Sequence, residues 1–127
     1  MLLAGALGGC NAAGQSRSDV TYRNADVPFT MRVPADFTKA SIDQGDTRGD
    51  VVAAVGLTKI DVIAVRRLGG ARPPGASVRH EVQGRAVTSE VHRVYGGDWA
   101  IECQYTAEFA DRVTDACREA VASVERR

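Results

Sequence analysis

Between residues 97 and 124 the hydrophobic period changes, and the change marks a strand running into a helix. Trp99, Ile101, Cys103 and Tyr105 alternate with Ala100, Glu102, Gln104 and Thr106, the two-residue repeat of an extended chain with one face turned to a core. Val113, Cys117, Val121 and Val124 then recur at helical spacing with Ala116 and Ala120 beside them. Asp111, Arg112, Asp115, Arg118 and Glu119 fall on the other side. The Thr106 hydroxyl is placed to cap this helix, Glu108 and Asp111 put negative charge in its first turn, and Arg126 and Arg127 are expected to end it favourably for its dipole. Cys103 and Cys117 thus fall on facing buried surfaces of strand and helix.

Upstream, residues 86–95 alternate Val87, Ser89, Val91, Arg93 and Tyr95 with Thr88, Glu90, His92 and Val94. Gly96 and Gly97 supply the positive φ angles of a tight turn, so residues 86–95 and 98–106 are expected to pair as an antiparallel hairpin feeding the helix. Residues 20–23 read as a short strand and residues 24–26 as a turn. In residues 27–33, Phe29, Met31 and Val33 alternate with Thr30 and Arg32, with Pro28 opening the strand and Pro34 closing it. Phe37 follows as an anchor into the core, on a helical turn or a compact bend. Residues 51–55 and 60–68 are two apolar, β-branched runs, and in the second neither face is cleanly polar, as in a central strand covered on both sides over part of its length. Residues 41–50 and the Gly- and Pro-rich residues 69–75 are connections. Residues 78–83 fit either a strand or a short helix, ended by Gly84. The whole predicts one α+β domain over residues 20–127: an antiparallel sheet with a C-terminal helix packed across it.

Composition adds limits. The chain has 127 residues and balances 16 Lys plus Arg against 16 Asp plus Glu, with scattered Arg and few aromatics, which argues against nucleic acid as a partner. Residues 1–9 are apolar and end in small residues before Cys10, and residues 11–19 are polar and without period. Leu7, Gly8, Gly9 and Cys10 resemble a bacterial lipobox, in which residues 1–9 are part of an export signal and Cys10 is the lipidated first residue of the mature protein. No Lys or Arg precedes Cys10, so this leader is partial, and the alternative is a small-residue leader with no such role. On the export reading residues 10–19 form a flexible tether, and the domain stands on the extracytoplasmic face of the cell membrane or, alternatively, is secreted. Cys103 and Cys117 are then left to pair in an oxidising compartment; two free buried thiols are the other reading.

Three stretches carry a family resemblance. Phe29 to Pro34 with Phe37, the run 51–65 containing Gly56, Leu57, Asp61, Val62 and Ile63, and Trp99 to Thr106 followed by Ala116, Cys117 and Val124 resemble the small actinobacterial lipoproteins of the Mog1/PsbP-like fold. The resemblance implies an antiparallel sheet carrying a C-terminal helix and an accessory or binding role, and it supplies no catalytic residues. The connection between Leu68 and Gly84 is shorter than the one the resemblance implies.

No arrangement of nucleophile, base or metal ligands stands out in the sequence. His80 and Glu81 are consecutive and point oppositely in a strand, and His92 is near Glu90 and Arg93 in sequence only. Zinc would need more ligands than Cys103 and Cys117 with His80 and His92 distant. The expectation is a non-enzymatic protein without cofactor or metal, lipid-anchored to the membrane and holding an envelope protein or glycolipid. The alternative is a small carrier or sensor with an apolar or glycolipid ligand between sheet and helix, in a groove lined by Phe37, Tyr95, Trp99 and Tyr105.

Overall fold

A computed structural model of the chain describes residues 19–42, 50–69 and 77–127. Cys10, the leader, all of the tether before Asp19, most of the polar loop and most of the Gly- and Pro-rich connection lie outside the described residues. Among the described residues, nine strands and one α-helix follow in order: β1 (Asp19–Tyr22), β2 (Phe29–Pro34), β3 (Thr38–Lys39), β4 (Asp50–Gly56), β5 (Val62–Arg67), β6 (Ser77–Val82), β7 (Arg85–Val94), β8 (Trp99–Tyr105), α1 (Ala110–Ala122) and β9 (Glu125–Arg126). A six-stranded antiparallel sheet runs β3-β4-β5-β8-β7-β6, and a three-stranded one runs β9-β2-β1.

The main core lies between the large sheet and a layer made of α1 and the small sheet. Ile63 and Val65 of β5 and Ile101 and Cys103 of β8 meet Phe29, Met31 and Val33 of β2 and the helix stripe Val113, Ala116, Cys117 and Ala120. That stripe is the i, i+3, i+4, i+7 face of an amphipathic helix. Val121 and Val124, expected in the same stripe, are only partly buried, and Val124 lies beyond the end of the helix at Ala122. Cys103 and Cys117 are joined by a disulfide with Cα atoms 6.1 Å apart, bonding strand to helix in the middle of this core.

Several boundaries differ from the pattern. The Thr106 hydroxyl does not cap the helix; it donates to Asp61, and a 3-10 turn over Ala107–Phe109 intervenes before α1. The two C-terminal arginines do not end the helix. It stops at Ala122, where the Ser123 amide bonds to the Glu119 carbonyl and the Ser123 hydroxyl accepts the Arg32 amide at 2.8 Å, and Glu125–Arg126 then pairs with β2. Residues 77–82 form a strand. Gln83 and Gly84, with φ of 51° and 77°, make the two-residue turn into β7 that positive φ angles favour.

The face of the large sheet away from α1 is also covered. Ala100, Glu102 and Gln104, expected to alternate away from the core, are buried, as are Ala54, Val62, Ala64 and Arg66 on neighbouring strands. Arg66 Nε donates to Glu102 Oε1, both side chains being fully buried. A charge pair in such a place requires good geometry to offset its desolvation.

Candidate functional site

The chemistry of the described residues collects at one end of the large sheet and along one flank of α1. At the sheet end, the turn from β4 to β5 is fixed by its own side chains. Thr58 Oγ1 accepts the amides of Ile60 and Asp61 at 3.1 and 3.0 Å and donates to Asp61 Oδ2 at 2.6 Å. Asp61, buried, turns its other oxygen to the Thr106 amide at 2.7 Å and the Thr106 hydroxyl at 3.0 Å. Gln104 Nε2 donates to the Ile60 carbonyl at 2.9 Å. One carboxylate and one carboxamide therefore hold the β4–β5 turn against the end of β8.

Beside this tied turn opens a cleft of about 960 Å³, walled by β3 and the following Ala40 to Ile42, by the β4–β5 turn, and by the end of β6. Lys39, Lys59, His80, Thr58 and Gln104 all line it. Lys39 and Lys59 are the only lysines in the chain, and both are exposed there. Among the described residues Glu81 is the lining carboxylate, so their side chains around the cleft carry a surplus of positive charge in a molecule that is neutral as a whole. His80 Nε2 lies 2.8 Å from Ser89 Oγ, yet Ser89 is 1% exposed. This hydroxyl orients the imidazole from beneath and is not presented to a ligand.

Along the flank of α1, Tyr105, Glu90 and His92 share one face of β8 and β7, with Glu90 directly opposite Cys103. Tyr105 donates to Glu90 Oε2 at 2.5 Å, and Glu90 Oε1 lies 3.3 Å from His92 Nε2. Burial of the phenol pushes the Tyr105 pKa up from 10.0 to about 12, helped by its hydrogen bond to Glu90 and by that carboxylate's charge. His92 is thus paired with Glu90 in space and not in sequence alone. The i, i+2 spacing puts both side chains on the same side of the strand. Nor is His92 distant from the cysteines: Glu90, His92 and Cys117 each bring one ligand-type atom within 4.8 Å of the others.

The expected groove residues go to separate places. Phe37 is buried in the core with Arg112 stacked over its ring at 5.9 Å. Trp99 is buried, perpendicular to Phe29 at 5.9 Å and with Arg67 over its ring at 5.5 Å, and Tyr95 leans on Phe29 at 5.5 Å. Tyr105 sits at the far end of β8, occupied with Glu90. Phe37 also borders a second cleft, of about 640 Å³, with residues of β4. The cleft at the sheet end draws on none of the four aromatics. Its signal in the sequence was the placing of both lysines next to Thr38 and Thr58, which becomes legible only once β3 and the β4–β5 turn are known to be neighbours. No family model and no curated protein matches this chain.

Proposed function

We propose that the chain is a non-enzymatic binding domain of the cell envelope, of the Mog1/PsbP-like plan, anchored by lipid at Cys10 and holding the polar, anionic headgroup of an envelope glycolipid. The observation that carries this reading is the convergence of Lys39, Lys59 and His80 on a cleft of about 960 Å³. Ammonium groups over a wall of hydroxyl and carboxamide groups suit a ligand that is charged and rich in hydrogen-bonding oxygen. An apolar cargo is the weaker reading, because Phe37 and Trp99 are already used within the core.

A photo-crosslinking side chain at the exposed Ser41, beside the cleft, compared with one at Arg118 on the outer face of α1, tests the assignment in intact envelopes. Acidic glycolipid adducts are expected at position 41 and not at 118, and they should be lost with Lys39→Glu and Lys59→Glu together. Equal labelling at both positions, or an acidic protein segment as the sole adduct at 41, would overturn the glycolipid reading.

A further inference from the structure

The flank of α1 brings together residues that ligate transition metals in other settings: Glu90, His92 and Cys117 each bring a ligand atom within 4.8 Å of the others, and Cys103 is attached to this group through its disulfide with Cys117. We propose that this cluster has two mutually exclusive states, a disulfide when oxidised and a zinc site formed by Cys103, Cys117, His92 and Glu90 when the bond is reduced. Two thiolates, an imidazole and a carboxylate are donors that suit Zn²⁺, a borderline-soft cation with a preference for four ligands. Bond lengths of about 2.0–2.3 Å place the ligands of a tetrahedral zinc roughly 3.3–3.8 Å apart. The Glu90, His92 and Cys117 atoms lie within 4.8 Å of one another, and Cys103 completes the set by turning its sulfur away from Cys117 once their bond is open.

The framework favours such closure. Glu90 and Cys103 are cross-strand neighbours in the sheet, and α1 delivers Cys117 from above. Tyr105 fixes Glu90 by one oxygen and leaves Oε1 directed at His92, the role an outer hydrogen bond plays around a metal-binding carboxylate. Cys103 and Cys117 are buried, whereas the side chains of His92 and Glu90 are 40% and 27% exposed, which gives an ion a path from solvent.

The chemistry balances with a phosphine as reductant. The phosphine takes up oxygen from water to become the phosphine oxide, its electron pair cleaves the S–S bond, and two thiols form. Zn²⁺ then displaces the two thiol protons to solvent. The state is therefore expected under reducing conditions and removed again by any oxidant that restores the disulfide.

Cobalt(II) and zinc titrations of the full chain, oxidised and phosphine-reduced, test the proposal. The reduced protein is expected to take up a single ion, with thiolate-to-cobalt charge transfer and the intense visible bands of a tetrahedral site, and the oxidised protein to show neither. His92→Ala and Glu90→Gln should each weaken zinc binding about tenfold or more, and Tyr105→Phe by about tenfold. A bare dithiol would bind without regard to these three residues, so unchanged affinity in the His92 and Glu90 variants overturns the site. Circular dichroism covers loss of structure on reduction. If the reduced chain unfolds, zinc must restore the native spectrum, and failure to do so also overturns the proposal. Equal affinity of the oxidised chain would reassign any binding to Glu90 and His92 alone.

Discussion

Asp61 carries more of the fold than its size suggests. It is buried, and its two oxygens accept three hydrogen bonds from Thr58 and Thr106, joining a turn to the end of a strand distant in sequence. Removing the carboxylate leaves those donors without their acceptor in the interior, where each such loss is costly. Asp61→Ala is expected to lower unfolding free energy by about 3 kcal/mol, read as a drop in the denaturant midpoint. Asp61→Asn keeps an oxygen for Thr106 and should cost about 1 kcal/mol; equal costs for the two would mean that the pair of Thr106 contacts contributes nothing. Tyr105 gives a second expectation, in pH. The unfolded chain releases the phenol proton near pH 10.0, while the folded chain, its phenol partly buried and bonded to Glu90, holds it to about 12. Its contribution is thus fully present below pH 10 and lost as pH rises through 12. Tyr105→Phe should cost about 1 kcal/mol at neutral pH and flatten the fall in stability over that alkaline interval. A wild-type slope retained in the variant would assign the alkaline fall to other groups.

At the scale of elements, the joint of β8 with α1 was legible because two periods and two cysteines coincide there, and the disulfide joins strand to helix as the pattern required. For a loop of this length, cross-linking removes enough freedom from the unfolded chain to be worth about 3 kcal/mol. Cys103→Ala with Cys117→Ala is accordingly expected to shift the denaturant midpoint down by that amount; an unchanged midpoint would mean that the unfolded chain is already constrained without it. The β7–β8 hairpin was legible for a similar local reason, its two glycines. What the sequence concealed depends on neighbours far along the chain. Glu102 and Gln104 look like the wet side of an amphipathic strand, but β5 and β7 flank β8 and their outer face is also covered, so Glu102 meets Arg66 and Gln104 meets the Ile60 carbonyl. Arg126 looks like a helix end and is a strand residue, because β2 has an open edge within reach of the chain leaving Ser123. The pairing of Glu90 with His92 was hidden by reading them as neighbours in sequence, although a spacing of two puts both on one side of β7.

Across the whole molecule, the large sheet separates two kinds of interior. On one side, apolar packing and the disulfide join β8, β2 and α1; on the other, a smaller apolar group of Ala54, Val62 and Ala64 lies with the Arg66–Glu102 pair, and the lysine-lined cleft opens at the sheet end. The described body begins with β1 at Asp19, paired along its length to β2. On the anchoring proposal, Cys10 fixes where the body resides and contributes nothing to how it folds. Two or more acyl chains hold a protein at a bilayer far more firmly than one, whereas a polar tether transmits little to the domain beyond it. Cys10→Ala in the exported precursor should therefore move the protein from the membrane fraction to the soluble one while leaving its melting temperature and its disulfide unchanged. Retention in the membrane fraction would remove lipid from the account, and a lowered melting temperature would show that the segment before β1 packs on the body.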